Sequence, residues 1–407
     1  MFDGNIPKLR KDIDLQIIGD GEDRNILLYD KRGFAKEPLM ITYDFLMFLT
    51  ILEEGITEKE LQEILFQATG ESDISMILES IKVLDDDLLL ESENYFQKLK
   101  EDQLEYANLP TRPLITIGKS FPEESDEFAK FMDNLFNSKR IDNQRKNADA
   151  IIVPHIDLSL NDYSHYVYAA GYDAIAEKDF DTIVIFGTSH YAFSDYFMLT
   201  KKPYNTPNGI IENDNVVIDY LEKNYGDTFT FDDQAHRFEH SIEYQAVLSK
   251  YFFKNRNFKI IPILVGTFHQ FVSDGNQPNT DERINKFLAG LKEALGKANR
   301  HPILLASVDF SHIGMKFGDE FDAKDLLDEC KKEDFKLIQT IENTNKEEFF
   351  DNIIATEDSW KVCGVSPIYA FLLAIGSAKG YFLDYSQWYE ESTKSAVSFA
   401  SLAFWKE

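Results

Sequence analysis

Hydrophobic and polar positions alternate in blocks over the larger part of the chain. From residue 148 onward, the apolar runs AIIV, DTIVIFGT, KIIPILVG and PILLAS are separated by longer stretches in which apolar residues recur at helical spacing. Unbroken apolar runs are typical of parallel strands buried on both faces, and their alternation with helices is typical of an α/β fold. We therefore predict an α/β/α sandwich with a mostly parallel central sheet over residues 148–407.

The first hundred residues have a different pattern. The segment TYDFLMFLTILEE carries apolar residues at helical spacing and stops at Gly55, and Thr57 with Glu60 forms a capping-box motif at the head of a second helix. SDISMILESIKVLDDD reads as a third helix, and the following LLLESENYFQKL is predicted as a closing strand or ribbon. This order predicts a small winged-helix-like α+β domain over residues 1–105. Three prolines then mark residues 106–147, which we predict to be a connector packed on the larger domain.

The charge of the N-terminal segment bears on its partner. Winged-helix modules often bind DNA, but residues 36–105 hold 18 acidic residues against five lysines and no arginine. Repulsion by the phosphate backbone argues against DNA as the partner. The order of elements also resembles that of PqqD-like peptide-recognition domains, through the stretches LLYDKRGF and EEGITEKELQEIL. The resemblance implies a protein or peptide partner for this domain.

The composition of the whole chain limits the partners and the cellular location that we expect. The formal net charge of -29 argues against nucleic acid and anionic membranes as partners, and the acidic residues are spread along the chain as in a solvated surface. The sequence has no run of 18 apolar residues, and its first residues lack the pattern of a signal peptide. Its two cysteines do not make a disulfide framework. We expect a cytoplasmic protein without membrane partners.

Polar side chains capable of chemistry follow three of the predicted strands. His155 comes directly after AIIVP, His190 ends DTIVIFGTSH, and Asp309 and His312 follow PILLASV. Because ligands of open α/β sheets bind beyond the carboxyl ends of the strands, we expect these side chains to share one crevice. Each of them alone could be a helix cap or a loop residue, whereas three strand ends together favour a site. Imidazole and carboxylate are ligands of divalent metals.

Further candidates lie outside the strand ends. Cys363 stands at a loop-to-helix entrance, where helix amides would stabilise a thiolate, whereas Cys330 reads as an inert core residue. In the stretch AHRFEHSIEYQ, His240 and Ser241 could simply begin a helix, or Glu239, His240 and Glu243 could orient metal ligands. The sequence contains no glycine-rich phosphate loop and no G-x-S-x-G or H-E-x-x-H motif.

These motifs together resemble the Memo-like family, whose bacterial members are called AmmeMemoRadiSam system protein B. The matching stretches occur in the family order between residues 148 and 406: VPH, GTSH, EHSIEYQ, IIPILVG, SVDFSH, VCGVSPI and KSAVSFASLAF. The family is similar in fold to class III extradiol dioxygenases, which implies the α/β/α arrangement already expected from the strand pattern.

The resemblance implies a metal site. Carried over residue by residue, His155, His190 and Cys363 become ligands of a divalent metal, while Asp309 and His312 line the pocket beside it. His240 and Glu243 also match residues near that site. The chain departs from many family members after the first histidine, where it reads IDLSLNDYSHY, so that Asp157 and His165 make the substrate pocket more polar.

A metal-dependent oxidoreductase with a dioxygenase-like site is the function that we expect. Two imidazoles and a thiolate form a soft, electron-rich ligand set, for which iron or copper is the expected cofactor and zinc the alternative. His312 would act as acid and base beside the metal, and Asp309 would hold its tautomer or a bound water. The alternatives are metal-assisted hydrolysis and a non-catalytic protein that binds a metal, a small molecule or a peptide at this site.

Overall fold

Apolar runs form buried strands, and amphipathic stretches form the helices that cover them. The computed structural model describes residues 4–19, 24–30, 32–35, 37–140, 145–192 and 194–406. The chain divides into two units, an N-terminal unit (Met1–Leu109) and a C-terminal unit (Pro110–Glu407). Each unit has a buried hydrophobic core of its own.

The N-terminal unit combines short strands with four helices among its described residues. Its elements are, in chain order, β1 (Asn5–Ile6), β2 (Ile13–Ile18), β3 (Asn25–Asp30), β4 (Leu39–Thr42), a 3-10 turn (Tyr43–Phe45), α1 (Leu46–Glu54), β5 (Ile56–Thr57), α2 (Glu58–Thr69), α3 (Ser75–Asp86) and α4 (Glu93–Asn108). Strands β2, β3 and β4 form an antiparallel sheet, and β1 pairs with β5. The first four residues of the LLYDKRGF stretch belong to β3, and residue 31 lies outside the described residues.

The start of α2 confirms the predicted capping box. The side chain of Thr57 accepts a hydrogen bond from the amide of Glu60 at 3.1 Å, and the Glu60 carboxylate accepts one from the amide of Thr57 at 2.9 Å. These two bonds satisfy amide donors that the first turn of a helix leaves without partners.

The predicted closing ribbon is wrong, because most of LLLESENYFQKL belongs to helix α4. Leu90 makes a single bridge to Leu9, and the helix begins two residues beyond Glu91, after Ser92. The Ser92 side chain accepts a hydrogen bond from the amide of Tyr95 at 3.3 Å and so caps the helix. The three leucines suggested a strand, but they lead out of α3 into this cap.

The C-terminal unit alternates strands and helices as predicted. Its elements are α5 (Ser125–Asn137), β6 (Ala150–Val153), α6 (Asn161–Ala174), β7 (Thr182–Thr188), β8 (Phe197–Leu199), α7 (Asn215–Tyr225), β9 (Thr230–Phe231), α8 (Asp233–Arg237), α9 (His240–Phe252), β10 (Lys259–Val265), α10 (His269–Asp274), α11 (Glu282–Lys297), β11 (Pro302–Ser307), β12 (His312–Gly314), α12 (Leu327–Glu342), α13 (Lys346–Ala355), α14 (Val365–Ile375), β13 (Ala378–Glu390) and β14 (Ser395–Lys406). Short 3-10 turns lie at Pro278–Thr280, Met315–Phe317 and Ala323–Leu326.

The strands of this unit form one mixed sheet. Its order over the described residues is β12-β14-β6-β11-β7-β10-β8-β9, and β13 also pairs with β14. The central strands β6, β11, β7 and β10 are parallel to one another, whereas β14 and β8 flank them in the antiparallel direction. The predicted α/β fold with a mostly parallel central sheet is therefore confirmed. The carboxyl ends of the four parallel strands share one edge, which positions the candidate site.

Two hydrophobic cores cover the two faces of the sheet. Along β6, Ala150 and Ile152 belong to one core, and Ile151 and Val153 belong to the other, as the alternation of side chains along a strand requires. The first core includes apolar residues of α7, α11, α12, α13 and α14, and the second includes those of α5, α6 and α9. The result is a three-layer α/β/α arrangement.

The segment before β6 packs against helices α6 and α9 through α5. Phe128, Met132 and Leu135, which lie on one face of this helix, are buried in the second core. The part of the predicted connector at residues 141–144 lies outside the described residues. In the described part of the chain, none of the helices combines the length and the apolar character needed to cross a membrane.

Candidate metal centre

Three polar residues occupy equivalent positions at the carboxyl edge of the sheet. His155 lies two residues beyond the end of β6, His190 two residues beyond β7, and Asp309 two residues beyond β11. Because β6, β11 and β7 are adjacent and parallel, the three side chains come together at one place. The structure thus brings together the strand-end residues that the sequence singled out.

Cys363, in the loop before α14, lies beside the two histidines. One donor atom from each of His155, His190 and Cys363 lies within 4.8 Å of the other two, a spacing that could hold a metal ion. The thiol sulfur is 3.5 Å from Nε2 of His155, and the two imidazole centroids are 4.9 Å apart. We call these three residues the donor cluster.

A glycine allows the cysteine to approach the strand end. The amide of Gly364 donates a hydrogen bond to the carbonyl of Asp309 at 3.1 Å, so the loop lies close against β11. A Cβ atom at Gly364 would stand 2.8 Å from that same carbonyl oxygen and 2.9 Å from the side chain of Val308. The Cys-Gly pair therefore places the sulfur where a bulkier successor would push it away.

Each imidazole of the donor cluster is oriented through its Nδ1 atom. Nδ1 of His155 is 2.9 Å from the carbonyl oxygen of Ser307, and Nδ1 of His190 is 2.9 Å from Oε1 of Glu239. When Nδ1 donates its proton to such a partner, Nε2 keeps its lone pair for a metal. Burial, reinforced by the neighbouring His190, lowers the pKa of His155 to about 3, which keeps this imidazole neutral.

Glu239 is the carboxylate that holds His190. It caps α9 by accepting a hydrogen bond from the amide of Ser241 at 3.0 Å, and it accepts a second from the amide of His190 at 2.8 Å. Burial opposes the charge of Glu239, but His190 and then His240 lower its pKa below the usual range. Burial likewise acts against a charged His190, whose pKa is nevertheless raised by Glu239. Charge and orientation at His190 therefore depend on one buried carboxylate.

Asp309 and His312 flank the donor cluster. Oδ1 of Asp309 accepts hydrogen bonds from the amides of His155 at 3.0 Å and Ile156 at 3.2 Å, and Oδ2 lies 3.7 Å from Nε2 of His155. Burial raises the pKa of Asp309 to about 6, although the nearby His312 acts to lower it. Burial lowers the pKa of His312 to about 4, against the pull of Asp309.

The expectation that Asp309 fixes the tautomer of His312 needs correction, whereas the alternative, that Asp309 holds a bound water, stays a prediction. Nδ1 of His312 lies 2.9 Å from the carbonyl oxygen of Phe310. The carboxylate of Asp309 instead accepts hydrogen bonds from the backbone amides of His155 and Ile156, which follow β6. The ring of His312 also meets that of Phe317 edge to face, with centroids 5.0 Å apart. A backbone carbonyl and an aromatic contact therefore orient this imidazole, the first through Nδ1 and the second through the ring.

His240 lies beside the donor cluster, at the first position of α9. Its ring stacks on that of His190 with centroids 5.1 Å apart, and its Nδ1 is 3.4 Å from Oε1 of Glu239. His190, Glu239 and His240 form a second group whose atoms have a spacing that could hold a metal ion. Burial lowers the pKa of His240 to about 4.

Glu243 lies one turn further along α9 and serves a different group. Its carboxylate forms a buried ion pair with Arg112 and a hydrogen bond with the hydroxyl of Thr116. It also accepts hydrogen bonds from the amides of Ile115 at 3.0 Å and Thr116 at 2.9 Å. Arg112 in turn donates to the carbonyl of Glu239 at 2.7 Å. Glu243 thus ties the segment before α5 to the start of α9.

Asp157 is half-buried and stabilises the turn that precedes α6. Its carboxylate accepts a hydrogen bond from the amide of Ser159 at 2.8 Å, and its carbonyl accepts one from the amide of Leu160 at 3.2 Å. The negative charge of Asp157 also contributes, after burial, to the raised pKa of Tyr244. The carboxylate of Asp157 therefore makes a local hydrogen bond within this turn.

The two cysteines have different surroundings. Burial, with Asp309 as the next cause, raises the pKa of the Cys363 thiol well above its ordinary value. A metal ion deprotonates a thiol that coordinates it, so such an ion would outweigh this shift. Cys330 is buried in α12, 3.7 Å from Oδ2 of Asp334, and burial raises its pKa to about 12. Cys330 belongs to a small hydrophobic cluster with Ile313 and Ala396.

Comparisons with known proteins identify the family of this chain. A family model described as Memo-like protein matches residues 112–403, and a MEMO1 family protein of Aquifex aeolicus is 30% identical over 414 residues, covering 98% of this chain and 100% of the relative. The chain belongs to the Memo-like family. Other MEMO1 family proteins are similar over smaller shares. That of Thermococcus kodakarensis is 26% identical over 71% of this chain and 97% of its own length, and that of Methanosarcina mazei is 28% identical over 55% and 74%.

The Memo-like match begins earlier than the motifs from which the resemblance was drawn. Those motifs start at residue 148, whereas the family model starts at Arg112, the residue that pairs with Glu243. No local pattern signals this pair, because its partners are 131 residues apart in sequence. Among the residues that the sequence offered as partners orienting metal ligands, Glu239 contacts His190 directly, and its position before His240 at a helix start is typical of an N-cap.

Proposed function

We propose that the protein is a metal-dependent oxidoreductase whose donor cluster, His155, His190 and Cys363, binds one divalent metal ion. The observation that carries this proposal is the mutual approach of three donor atoms to within 4.8 Å, at the edge where the parallel strands end. Membership of the Memo-like family is consistent with the proposal, and the motif resemblance described above implies the same ligands.

The chemistry of the donors favours a redox metal. Two neutral imidazoles and one thiolate are soft ligands that suit iron and copper, with zinc as the alternative. Ser307 and Glu239 already hold the outer nitrogens of the two imidazoles, as partners of metal-bound histidines commonly do. Three protein ligands leave a coordination position open, which a catalytic metal needs and a closed structural site lacks. Bound iron or copper would supply electron-transfer chemistry that the side chains lack.

Asp309 and His312 are the groups that we propose to move protons. With a pKa of about 6, Asp309 changes its protonation state close to neutral pH. His312 has a pKa of about 4 and is therefore neutral at that pH, and the contact of its Nδ1 with Phe310 leaves Nε2 as the proton acceptor. The two groups thus offer a proton donor and a proton acceptor beside the donor cluster.

Metal analysis combined with oxygen uptake tests this function. Protein purified without oxygen should contain about one iron or copper per chain and should consume oxygen in the presence of ascorbate. Cys363→Ser should lose metal affinity by about tenfold or more, while the matched Cys330→Ser protein should bind metal like wild type. His312→Ala should keep its metal and lose oxygen uptake. Zinc-loaded protein without oxygen uptake would contradict the redox assignment and favour hydrolysis or binding.

For the N-terminal unit we propose a protein or peptide partner. Its three-stranded sheet exposes apolar side chains on one face, among them Ile18, Tyr29 and Met40, and residues 36–105 of the unit, with 18 acidic residues against five lysines, give it a strongly acidic surface. Such a surface repels the phosphate backbone and suits a polypeptide. The full chain should therefore show no binding to duplex DNA in a fluorescence titration at low salt, and submicromolar, salt-sensitive binding would overturn the proposal.

A further inference from the structure

An acidic groove lies in the N-terminal unit, where the end of α3 meets the start of α4. Among the described residues, its walls come from residues 5–7, the last turn of α3 with the residue one turn before it, and the segment that leads into α4. Four carboxylates line it against one lysine, namely Asp85, Asp86, Glu91 and Glu93 against Lys82. Negative charge therefore dominates this groove.

The aspartates of the acidic groove run against the charge preference of a helix end. Asp85 and Asp86 occupy the last turn of α3 and Asp87 is its C-cap, with no basic residue in that turn. The C-terminal end of a helix carries a partial negative charge, so cations there stabilise the helix and anions destabilise it. Local stability does not account for three aspartates at this position, whereas binding of an external cation does.

Asp85 has acceptor capacity that the chain does not use. The residue is 8% exposed, and its Oδ2 accepts a hydrogen bond from the side-chain amide of Asn94 at 2.9 Å. Its Oδ1 is buried and has no hydrogen-bond partner in the described part of the chain. A buried carboxylate oxygen without a donor is unfavourable. Because Asn94 is exposed, a donor from outside can displace its amide and reach the carboxylate.

The surroundings of Asp85 favour a guanidinium over a metal ion. Among the described residues, both groups of donor side chains whose spacing could hold a metal ion lie in the C-terminal unit. A guanidinium presents five N–H donors in a planar fork, which reaches separated acceptors and pairs with a carboxylate through two parallel hydrogen bonds. Phe96 also lines the acidic groove and is 53% exposed, and arginine stacks on aromatic faces.

We propose that the acidic groove binds an arginine side chain of a polypeptide partner, with the guanidinium at Asp85 and Asp86 and its plane against Phe96. The inference rests on the proposed polypeptide partner of the N-terminal unit, and it adds the chemical group that this partner presents. The guanidinium replaces Asn94 as the donor to Asp85 and supplies the cation that the end of α3 lacks. A lysine side chain supplies the charge without the paired geometry and binds more weakly.

Three blocked heptapeptides test the inference by calorimetric titration of the full chain. They are identical in a glycine and leucine sequence except for a central arginine, lysine or citrulline, and citrulline has the shape of arginine without its charge. The arginine peptide should bind saturably. The lysine peptide should bind about threefold or more weakly than the arginine peptide, and the citrulline peptide about tenfold or more weakly, because the charged fork is lost.

Variants locate the binding. Asp85→Asn keeps the shape of the side chain and should weaken binding of the arginine peptide about tenfold or more, and Asp86→Asn, at an exposed position, should weaken it about threefold. Glu79→Gln removes an exposed carboxylate of α3 outside the acidic groove, and as the matched control it should stay within about twofold of wild type. Equal losses in the three variants would show general attraction to an acidic surface and overturn the inference.

The remaining outcomes separate the arginine site from the proposed partner class. Equal affinity for the arginine and citrulline peptides, or no saturable binding of the arginine peptide, would overturn the arginine site and leave a polypeptide partner in place. Submicromolar, salt-sensitive binding of duplex DNA would instead overturn the partner class and this inference together.

Discussion

Glu239 and Glu243 stand one helical turn apart at the start of α9, yet they belong to two different kinds of buried polar site. Glu243 meets the permanent cation of Arg112 and two backbone amides, so protein groups use its acceptor capacity fully. Glu239 instead holds an imidazole whose other nitrogen faces His155 and Cys363. The first arrangement is closed, while the second leaves donor atoms directed at a common volume.

The partner of each buried carboxylate decides whether it stabilises the fold or orients a metal ligand. A buried carboxylate beside arginine stabilises its surroundings only while the pair is intact, because the charge left behind has no solvent. A buried carboxylate beside histidine sets the orientation and basicity of a ligand, as second partners of metal-bound histidines do. Loss of Glu243 should therefore affect stability first, and loss of Glu239 should affect metal binding first.

The largest effect is expected at Arg112. Arg112→Met leaves the Glu243 carboxylate buried without its cation and should destabilise the C-terminal unit by about 3–5 kcal/mol. Equilibrium unfolding in urea measures this change. Lys286→Met, which removes an exposed ion pair with Asp227, is the control and should cost less than about 1 kcal/mol. An equal loss of unfolding free energy in both variants would contradict the stabilising role of the Arg112–Glu243 pair.

A smaller and different effect is expected at Glu239. Glu239→Gln keeps the shape of the side chain but removes the charge that holds His190, and it should lower metal affinity by about 10–100-fold. A competition titration with a chelator of known affinity measures the change. The urea midpoint should move less than in Arg112→Met. A Glu239→Gln protein that unfolds early but binds metal normally would reverse the roles of the two glutamates.

The smallest effect is expected at Asp157. Its carboxylate caps a turn by accepting the Ser159 amide, a role that an asparagine oxygen also fills. Asp157→Asn should therefore change metal affinity by no more than about twofold, in line with substitutions away from critical contacts. The same chelator competition serves as the measurement. A tenfold loss would identify Asp157 as an oxygen ligand and enlarge the donor cluster.

The sequence predicted those parts of the structure that depend on local pattern. Apolar runs located the strands of the central sheet, and the rule for open sheets placed His155, His190 and Asp309 at one edge. The capping box of Thr57 and Glu60 was equally local. The position of Cys363 beside them required the family resemblance, because no pattern connects a loop 208 residues away to the histidine that it approaches.

The remaining features depend on contacts that leave no local signal. The backbone carbonyls of Ser307 and Phe310 orient two histidines, and any residue type can supply a carbonyl. The pairing of Glu243 with Arg112 was hidden by the distance between them along the chain. In the N-terminal unit, the run of leucines before Ser92 suggested a strand, and the cap that starts α4 decided otherwise.

X-ray absorption of the metal-loaded wild-type protein tests the central claim most directly, namely that the donor cluster supplies a sulfur and two imidazole nitrogens to one ion. In the zinc form, the account predicts one sulfur neighbour at about 2.3 Å and histidine nitrogens at about 2.0–2.1 Å. The sulfur signal should vanish in Cys363→Ser and persist in Cys330→Ser. A first shell of nitrogen and oxygen alone in the wild-type protein would contradict the claim.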